Sequence, residues 1–482
     1  MPPRNLNIII IAAAISLLCY ATHRRARPAM IVGDALNLID SYYVDPVDSE
    51  ALLIAAMNGM TSTLDENSEY IPGAAYESFQ DNINQEFAGI GIYVEATEDG
   101  GPVRVRTPLV GSPALKAGFL PGDLIVKVDG EDVSKMPLPD VSNRLRGPVG
   151  TTVKITVRRP ERTTETNTDT AAVAEPDADA DNTVDDNTVD DDQVADNQVA
   201  EVPYEEKLLT VTRARIELES VAGDYRDEHD HWVFRLREDP TIGYIRLTSF
   251  GEKSTDEMKR ALAQLDNNFR GLVLDLRGNG GGLLHTAADI SDMFLNAGNI
   301  VTTRTRGGVI ESRFDAEPGT LVDPKKPFAI LIDGNSASAS EIVSACMQDN
   351  HRAIVVGTRS YGKGTVQNIL PLQFGRSALR LTVARYYRPS GANIHRTQDA
   401  TDDDEWGVTP DDGMIVELDE ESLIKVARRW TEAAYPALAV EMMSESDDST
   451  VSTSTMIDPQ LRRAVETLKT QIEETTPESE AA

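Results

Sequence analysis

Cysteine and basic residues are scarce in this chain of 482 residues. The two cysteines are Cys19 and Cys346. They cannot supply a disulfide framework or a zinc–cysteine site, so we predict no metal. The 46 Lys and Arg residues stand against 79 Asp and Glu residues, which gives a formal net charge of −33. Nucleic-acid-binding proteins usually carry a basic face, so this balance argues against a nucleic-acid partner.

A hydrophobic run long enough for an ordinary membrane span is missing at the N-terminus. Residues 7–21 (NIIIIAAAISLLCYA) follow Arg4 and suit a signal h-region better than a span of roughly 20 residues. Cleavage stays undecided, because basic residues on both sides of the run compete under the positive-inside rule. Residues 1–29 are therefore predicted to be a signal or signal anchor. The expected location is the cell envelope or periplasm, with membrane anchoring by residues 7–21 left open.

The rest of the chain divides by composition and by the period of its apolar residues. At 40% hydrophobic residues it can bury several cores, and roughly 150 residues per domain predicts two to four units. The predicted segments are a helical unit at 30–82, a compact domain of strands plus helix at 83–160, an acidic insertion at 161–206, an α/β core at 207–416, and an acidic helical extension with a disordered tail at 417–482. The insertion holds 16 acidic residues against one basic residue, so it cannot bury enough apolar surface to order itself.

Three serines follow the apolar strand FAILID and lead into a helix. They are Ser336, Ser338 and Ser340, separated by alanines and followed by Glu341. Small residues at such a turn let a substrate approach the backbone, and the N–H groups of the helix start suit an oxyanion. Each serine could be a nucleophile or a plain N-cap, and local chemistry alone leaves both open.

A nucleophilic serine needs a base, and none of the six histidines stands in a glycine-rich turn. His351, just after the serine helix, is predicted to lie on the surface. Lys363 follows the strand AIVVG and is flanked by Gly362 and Gly364. Burial would lower its pKa and leave it neutral enough to take a serine proton, while a solvated surface lysine is the alternative. The phosphate-loop pattern around Gly-Lys-Gly-Thr is incomplete.

A glycine-rich turn follows a third apolar strand. It reads Asp275-Leu276-Arg277-Gly278-Asn279-Gly280-Gly281-Gly282. The order of its glycines does not match a dinucleotide fingerprint, and its backbone N–H groups suit an oxyanion better. A tight strand-to-helix turn would need the same glycines.

Together these three stretches resemble the C-terminal processing peptidases, or tail-specific proteases, which are serine proteases with a Ser/Lys dyad. The resemblance covers about residues 30–416 and rests on Ser336 to Glu341, Gly362 to Gln367 and Asp275 to Gly282 in that family's pattern. It implies that Ser338 is the nucleophile and Lys363 the general base, with Gln367 orienting Lys363. It also implies that the N–H groups of Ala339 and Gly281 bind the oxyanion.

The same resemblance assigns residues 83–160 to a PDZ domain and residues 207–416 to the protease core. The predicted fold class is thus a multidomain α+β and α/β protein, with an N-terminal helical unit and a helical C-terminal extension. Peptide tails would be bound by Ala88, Gly89, Ile90 and Gly91. The family usually has Pro-His where this chain has Glu66-Asn67, and we expect that departure to lie away from the chemistry. Asp349 is expected to be structural.

The function implied is a serine endopeptidase that binds C-terminal tails of proteins and cleaves near them, without a cofactor. The alternative is a PDZ scaffold or pseudo-protease that binds tails without cutting. The expected partners are protein substrates with free C-terminal tails. Self-association and an adaptor protein are left open.

Overall fold

The computed structural model describes residues 3–97, 100–160, 204–372, 376–401, 403–435 and 458–475. Its helices are α1 (Pro3–Tyr42), α2 (Ser49–Thr61), α3 (Gly73–Asn84), α4 (Pro113–Ala117), α5 (Leu138–Leu145), α6 (Ser254–Leu265), α7 (Leu284–Asp292), α8 (Ala339–Asp349), α9 (Glu420–Ala434) and α10 (Pro459–Thr475).

The strands of the described residues follow in chain order. They are β1 (Glu69–Ile71), β2 (Glu86–Gly89), β3 (Ile92–Glu95), β4 (Val103–Pro108), β5 (Leu124–Val128), β6 (Glu131–Asp132), β7 (Thr152–Pro160), β8 (Tyr204–Thr212), β9 (Ala214–Glu217), β10 (Val221–Ala222), β11 (Tyr225–Arg226), β12 (Trp232–Val233), β13 (Ile242–Leu247), β14 (Gly271–Asp275), β15 (Asn299–Arg304), β16 (Ile310–Asp315), β17 (Phe328–Ile332), β18 (Ile354–Gly357), β19 (Thr365–Leu372) and β20 (Ser377–Tyr387).

Two compact units divide the described chain. The first takes its residues from 1–85, 241–417 and 463–482, and the second from 86–240 and 418–462. The predicted multidomain fold class with an α/β core is confirmed by this arrangement of helices and sheets.

Parallel strands form the centre of the first unit. Strands β13, β14, β17 and β18 pair in that order, all parallel. Every residue of β14 and β17 is buried, as expected for apolar strands covered on both faces by crossover helices. Helices α6 and α8 provide crossovers within this sheet, α6 from β13 to β14 and α8 from β17 to β18. The carboxyl ends of parallel strands lie at one edge of the sheet, so the turns that follow β14, β17 and β18 come together there.

A second sheet of the first unit is antiparallel and includes the N-terminal segment. Its order is β1-β20-β15-β16, and β19 also pairs with β20. Strand β1 joins β20 through the pair Tyr70 and Leu379, and Ile71, Tyr76 and Ala378 pack together in a small core beside it. The predicted helical unit at 30–82 is therefore not independent, because its last part completes a sheet of the first unit.

The N-terminal helix also crosses a predicted boundary. Helix α1 is continuous from Pro3 to Tyr42, so no break separates residues 1–29 from residue 30 onward. The apolar run at residues 7–21 lies within it. No helix of the described residues is both long and apolar enough to cross a membrane.

The second unit contains a sheet in the order β3-β4-β5-β7-β8, with β6 attached to β5. Its core is a cluster of aliphatic residues with Phe119 at 0% exposure. Asp123 is fully buried and accepts two hydrogen bonds from Arg159, at 2.7 and 2.8 Å. This bidentate pair ties β7 to the turn before β5, which compensates the buried carboxylate.

Strand β8 shows that the predicted start of the α/β core at residue 207 is wrong. It pairs antiparallel with β7 along its whole length, from Thr152 opposite Thr212 to Pro160 opposite Tyr204. Residues 207–240 accordingly belong to the second unit. Most of the acidic insertion, residues 161–203, lies outside the described residues, whereas residues 204–206 begin β8.

The predicted C-terminal extension at 417–482 is split between the two units. Helix α9 belongs to the second unit, while residues 463–475 of α10 belong to the first. Leu468 of α10 packs against Gly271, the first residue of β14, so this helix covers the parallel sheet. The end of the predicted disordered tail, after residue 475, lies outside the described residues.

Candidate active site

Three strand-to-helix or strand-to-strand turns meet at one edge of the parallel sheet. The N–H of Ala337 donates to the carbonyl of Asn279 at 3.1 Å, which joins the turn after β17 to the turn after β14. The N–H of Tyr361 donates to the carbonyl of Ser336 at 3.0 Å, which joins the turn after β18 to the same place. The three motifs of the sequence therefore form one cluster.

Two of the three candidate serines have structural hydrogen bonds. The hydroxyl of Ser336 donates to the carbonyl of Leu276 at 2.9 Å, and that of Ser340 donates to the carbonyl of Asn279 at 2.8 Å. Both side chains are fully buried. They hold the serine turn against the glycine-rich turn, which leaves Ser338 as the candidate nucleophile.

Ser338 has a strained backbone at the start of α8. Its φ is 54° and its ψ is −110°, a conformation that costs a residue with a side chain of order 1–3 kcal/mol. Its N–H donates to Glu341 Oε2 at 2.8 Å, and its side chain forms a hydrogen bond with the hydroxyl of Tyr386. Burial raises the pKa of Tyr386 to about 12, so the phenol keeps its proton near neutral pH. Strain of this kind is typical of functional sites.

Glu341 connects the serine turn to the lysine turn. Its Oε2 also accepts the N–H of Lys363 at 2.8 Å, while its Oε1 accepts the N–H of Gly362 at 2.7 Å and the hydroxyl of Ser360 at 2.6 Å. The carboxylate is fully buried, and that burial raises its pKa despite these hydrogen bonds. One oxygen atom thus holds the backbones of Ser338 and Lys363 close together.

The side chain of Lys363 lies in a partly buried environment. Burial lowers the pKa of Lys363 below its ordinary value, and the positive charge of Arg380 acts in the same direction. Three carboxylates, those of Glu341, Glu66 and Glu69, act in the opposite direction. A lowered pKa increases the neutral fraction, which is the form that can accept a proton.

The glycines beside Lys363 are required by close packing. A Cβ on Gly364 would lie 2.1 Å from the backbone nitrogen of His395. Gly362 has φ +88°, and its Cβ would lie 2.7 Å from the Cβ of Arg396. These contacts fix the backbone on both sides of Lys363, so its position is set by the fold rather than by a flexible loop.

Gln367 lies on β19 and is held by two threonines. Its Nε2 donates to Thr365 Oγ1 at 2.7 Å and to Thr382 Oγ1 at 3.3 Å. A register shift between Val366 and Gln367 interrupts the pairing of β19 with β20 at this point. These partners hold the amide nitrogen, and they were not visible in the sequence, because Thr382 is on another strand.

The two residues predicted to bind an oxyanion lie beside Ser338, but they differ. Ala339 is the first residue of α8, so its N–H is not used by the helix itself. The N–H of Gly281 donates to the side chain of Asn279 at 2.9 Å. Gly281 therefore does not present a free N–H here, contrary to the sequence analysis, because the buried Asn279 side chain uses it.

A buried ion pair supports the glycine-rich turn. Arg277, which is 1% exposed, donates to Asp275 at 2.9 Å through Nε and at 2.6 Å through Nη2. The hydroxyl of Tyr244 also donates to Asp275, at 2.8 Å. These bonds anchor the start of the turn to the end of β14, so Gly281 is held on a rigid base.

The remaining predicted residues are His351 and Asp349 in the first unit and the four tail-binding residues in the second unit. His351 is exposed, and Asp349 accepts hydrogen bonds from Arg388 and from the N–H of Ser390, consistent with a structural role. In the second unit Ala88 and Gly89 belong to β2 and pair with β9, whereas Ile90 and Gly91 lie between β2 and β3.

Sequence reasoning missed Tyr386 and the turn at residues 65–69. Tyr386 stands in an apolar strand, where a tyrosine is usually read as core, and only the fold brings it to Ser338. Glu66 lies in this turn, and its negative charge opposes the lowering of the pKa of Lys363. The expectation that this position lies away from the chemistry stays a prediction. No local pattern could reveal either, because both depend on contacts between distant parts of the chain.

Comparisons with known proteins agree with this division of the chain. A model of peptidase family S41 matches residues 241–413, and a model of the PDZ domain matches residues 104–159. A carboxy-terminal-processing protease of Bartonella bacilliformis is 35% identical over 390 residues, which are 80% of this chain and 74% of that protein. A carboxyl-terminal-processing protease of Synechocystis sp. is 30% identical over 392 residues, which are 81% of this chain and 76% of that protein.

Solved structures with a similar chain were also found. A photosystem II D1 C-terminal processing protease is 25% identical, with a TM-score of 0.40, and the match covers 81% of this chain and 92% of that one. The S41 match begins at residue 241, close to the first residue of β13, which fits the corrected start of the α/β core.

Gly281→Ala should strongly reduce the reactivity of Ser338. Gly281 has φ +100°, and an added Cβ would lie 2.7 Å from the carbonyl oxygen of Ala337 and 2.8 Å from the Cβ of Ser338. We expect the rate of labelling by a fluorophosphonate probe to fall by more than about tenfold. Gly280→Ala is the matched control, because its Cβ would meet nothing within 4 Å. Equal labelling of the two variants would contradict this assignment of the turn.

Proposed function

The chain belongs to peptidase family S41 and is a serine-type peptidase of the carboxy-terminal-processing group with a PDZ domain, and from this premise we propose that it cleaves proteins near their C-terminal tails with Ser338 and Lys363. The observation that carries the proposal is the Glu341 carboxylate, whose Oε2 accepts the N–H groups of both residues at 2.8 Å. This buried carboxylate therefore holds the backbones of the proposed nucleophile and the proposed base together.

Ser338 is proposed as the nucleophile because the neighbouring serines already have structural partners. Ser336 and Ser340 donate to backbone carbonyls, and either bond would break if its hydroxyl attacked a substrate. The strained backbone of Ser338 turns its side chain out of the regular helix, as in other strand-turn-helix nucleophiles.

Lys363 is proposed as the general base. Its lowered pKa gives it a larger fraction of neutral amine than an exposed lysine has at the same pH. As Ser338 Oγ attacks the scissile carbonyl carbon, Lys363 takes the hydroxyl proton and a tetrahedral intermediate forms. Collapse of the intermediate breaks the C–N bond, and Lys363 returns the proton to the leaving amine. Water then attacks the acyl-enzyme, again with Lys363 as base, and releases the new carboxylate and Ser338.

The N–H of Ala339 is the proposed first donor to the oxyanion, since it is adjacent to Ser338 at the helix start. Such a donor contributes about 3 kcal/mol to transition-state stabilisation. Gly281 is the proposed second donor. When substrate binds, the N–H of Gly281 would release the side chain of Asn279 and donate to the oxyanion instead. Gln367 is proposed to orient Lys363, with its amide nitrogen already held by Thr365 and Thr382.

The proposed site for the substrate tail is the outer edge of β3, which pairs with no other strand of the described residues. This strand lies at one end of the sheet in the second unit, and α5 lies next to it. An extended tail can add to such an edge as a further strand, with its carboxylate facing the backbone N–H groups of the preceding loop. Ile90 and Gly91 form that loop here, so they are better placed for the carboxylate than Ala88 and Gly89, whose strand pairs with β9.

Export is part of the proposal. It rests on the apolar run at residues 7–21 behind Arg4, which has the character of a signal segment. Proteins of the cell envelope with accessible C-terminal tails are the substrate class that this location would supply.

Ser338→Ala and Lys363→Arg should each abolish cleavage of an unfolded protein substrate. Alanine removes the nucleophile, and arginine cannot release its proton to act as a base. We expect kcat to fall on the order of 10⁶-fold in the serine variant. Mass spectrometry of the products and circular dichroism of each variant would separate lost chemistry from lost folding. Cleavage by a folded Lys363→Arg protein would remove Lys363 as base, and cleavage by Ser338→Ala would move the nucleophile elsewhere.

Tail recognition can be measured without turnover in the full-length Ser338→Ala protein. A fluorescent peptide with an apolar C-terminal residue and a free carboxylate should bind at least about tenfold more tightly than its C-terminal amide, because charge-assisted hydrogen bonds are lost. Acetylation of the peptide N-terminus is the control and should not change the Kd. Equal Kd values for acid and amide would exclude carboxylate recognition, and tail binding without any cleavage by the unmutated protein would favour a scaffold.

A further inference from the structure

Residues 65–69 form an acidic turn that docks on β20. We call Asp65, Glu66, Asn67, Ser68 and Glu69 the acidic turn. The hydroxyl of Ser68 accepts the N–H of Thr382 at 3.1 Å, and the carbonyl of Asn67 accepts Nε of Arg380 at 3.2 Å. Glu69 forms an ion pair with Arg380 at 3.2 Å. The turn is therefore held against the strand by both of its ends.

From this position the acidic turn reaches Gln367 through one hydroxyl. Thr382 Oγ1 donates to Asp65 Oδ1 at 3.1 Å and accepts the amide nitrogen of Gln367 at 3.3 Å. A hydroxyl has one proton, so donation to Asp65 leaves its oxygen free to accept from Gln367. The carboxylate of Asp65 thus sets the direction of the hydrogen bond that holds Gln367.

The acidic turn also places negative charge near Lys363. Glu66 and Glu69 both favour the protonated form of Lys363, as does Glu341 of α8, while Arg380 of β20 opposes them.

Resting on the proposed Ser/Lys mechanism, we propose that the acidic turn is a positioning element for the catalytic base: Asp65 holds Gln367 through the hydroxyl of Thr382. The protease core alone, as matched between residues 241 and 413, does not contain this turn. The N-terminal segment supplies it.

Thr382→Val tests the hydrogen-bond relay without disturbing the rest of the turn. Valine keeps the shape of threonine but removes the hydroxyl, and Asp65 retains its bonds to Asn67 and Ser68. We expect kcat to fall about five- to tenfold with little change in KM, as for loss of one buried hydrogen bond, and Thr382→Ser to restore it. An unchanged kcat in Thr382→Val, or an equal loss in Thr382→Ser, would overturn the relay.

These outcomes are distinct from failure of the mechanism itself. Every variant is compared with the unmutated protein and with Ser338→Ala in the same assay. If Ser338→Ala is inactive but Thr382→Val behaves like the unmutated protein, the Ser/Lys dyad is retained and the proposed role of the acidic turn is wrong. If Ser338→Ala still cleaves, the proposed Ser/Lys mechanism is wrong, and so is the role of the acidic turn that rests on it.

Discussion

The arrangement of the active site depends on one buried carboxylate. Glu341 accepts hydrogen bonds from the backbone of Ser338, Gly362 and Lys363 and from the hydroxyl of Ser360. A buried carboxylate without partners would cost several kcal/mol, so the two turns are held in the geometry that supplies all four donors. Ser338 and Lys363, the proposed nucleophile and base, therefore cannot move independently, because a shift of one turn would disturb hydrogen bonds of the other.

The parallel sheet explains why these turns meet at all. Strands β14, β17 and β18 run side by side in one direction, and each ends at the same edge. Glycine is needed where their turns touch: Gly281 lies against Ser338, and Gly364 lies against the backbone of His395. The backbone contacts, rather than long side chains, define the shape of the site.

The sequence predicted the local parts of this architecture better than its distant contacts. Apolar strands followed by small residues are local patterns, so the turns that carry Ser338, Lys363 and Gly281 could be predicted from the residues alone. The start of the α/β core was misplaced because β8 alternates like any other strand, and only its pairing with β7 shows which sheet it joins. The hydrogen bond from the Gly281 N–H to Asn279 was not predicted, because Asn279 gives no local sign that its side chain folds back onto that N–H.

Tyr386 and the acidic turn were invisible for the same reason. Tyr386 depends on Ser338, which is 386 − 338 = 48 residues earlier in the chain, and Asp65 depends on Thr382, which is 317 residues later. A single sequence has no signal for such pairs. Once the fold is known, each is explained by a few hydrogen bonds.

The pairing of β1 with β20 has a consequence for how the enzyme is made. Asp65 and Thr382 are 317 residues apart in the chain, so a ribosome must complete nearly all of the core before the acidic turn finds its strand. Contacts of such long range form late in folding, because the intervening chain must be ordered first. A nascent chain consequently carries Ser338 before β20 and the acidic turn have paired. The order of synthesis itself delays the appearance of a finished protease until β20 has been made.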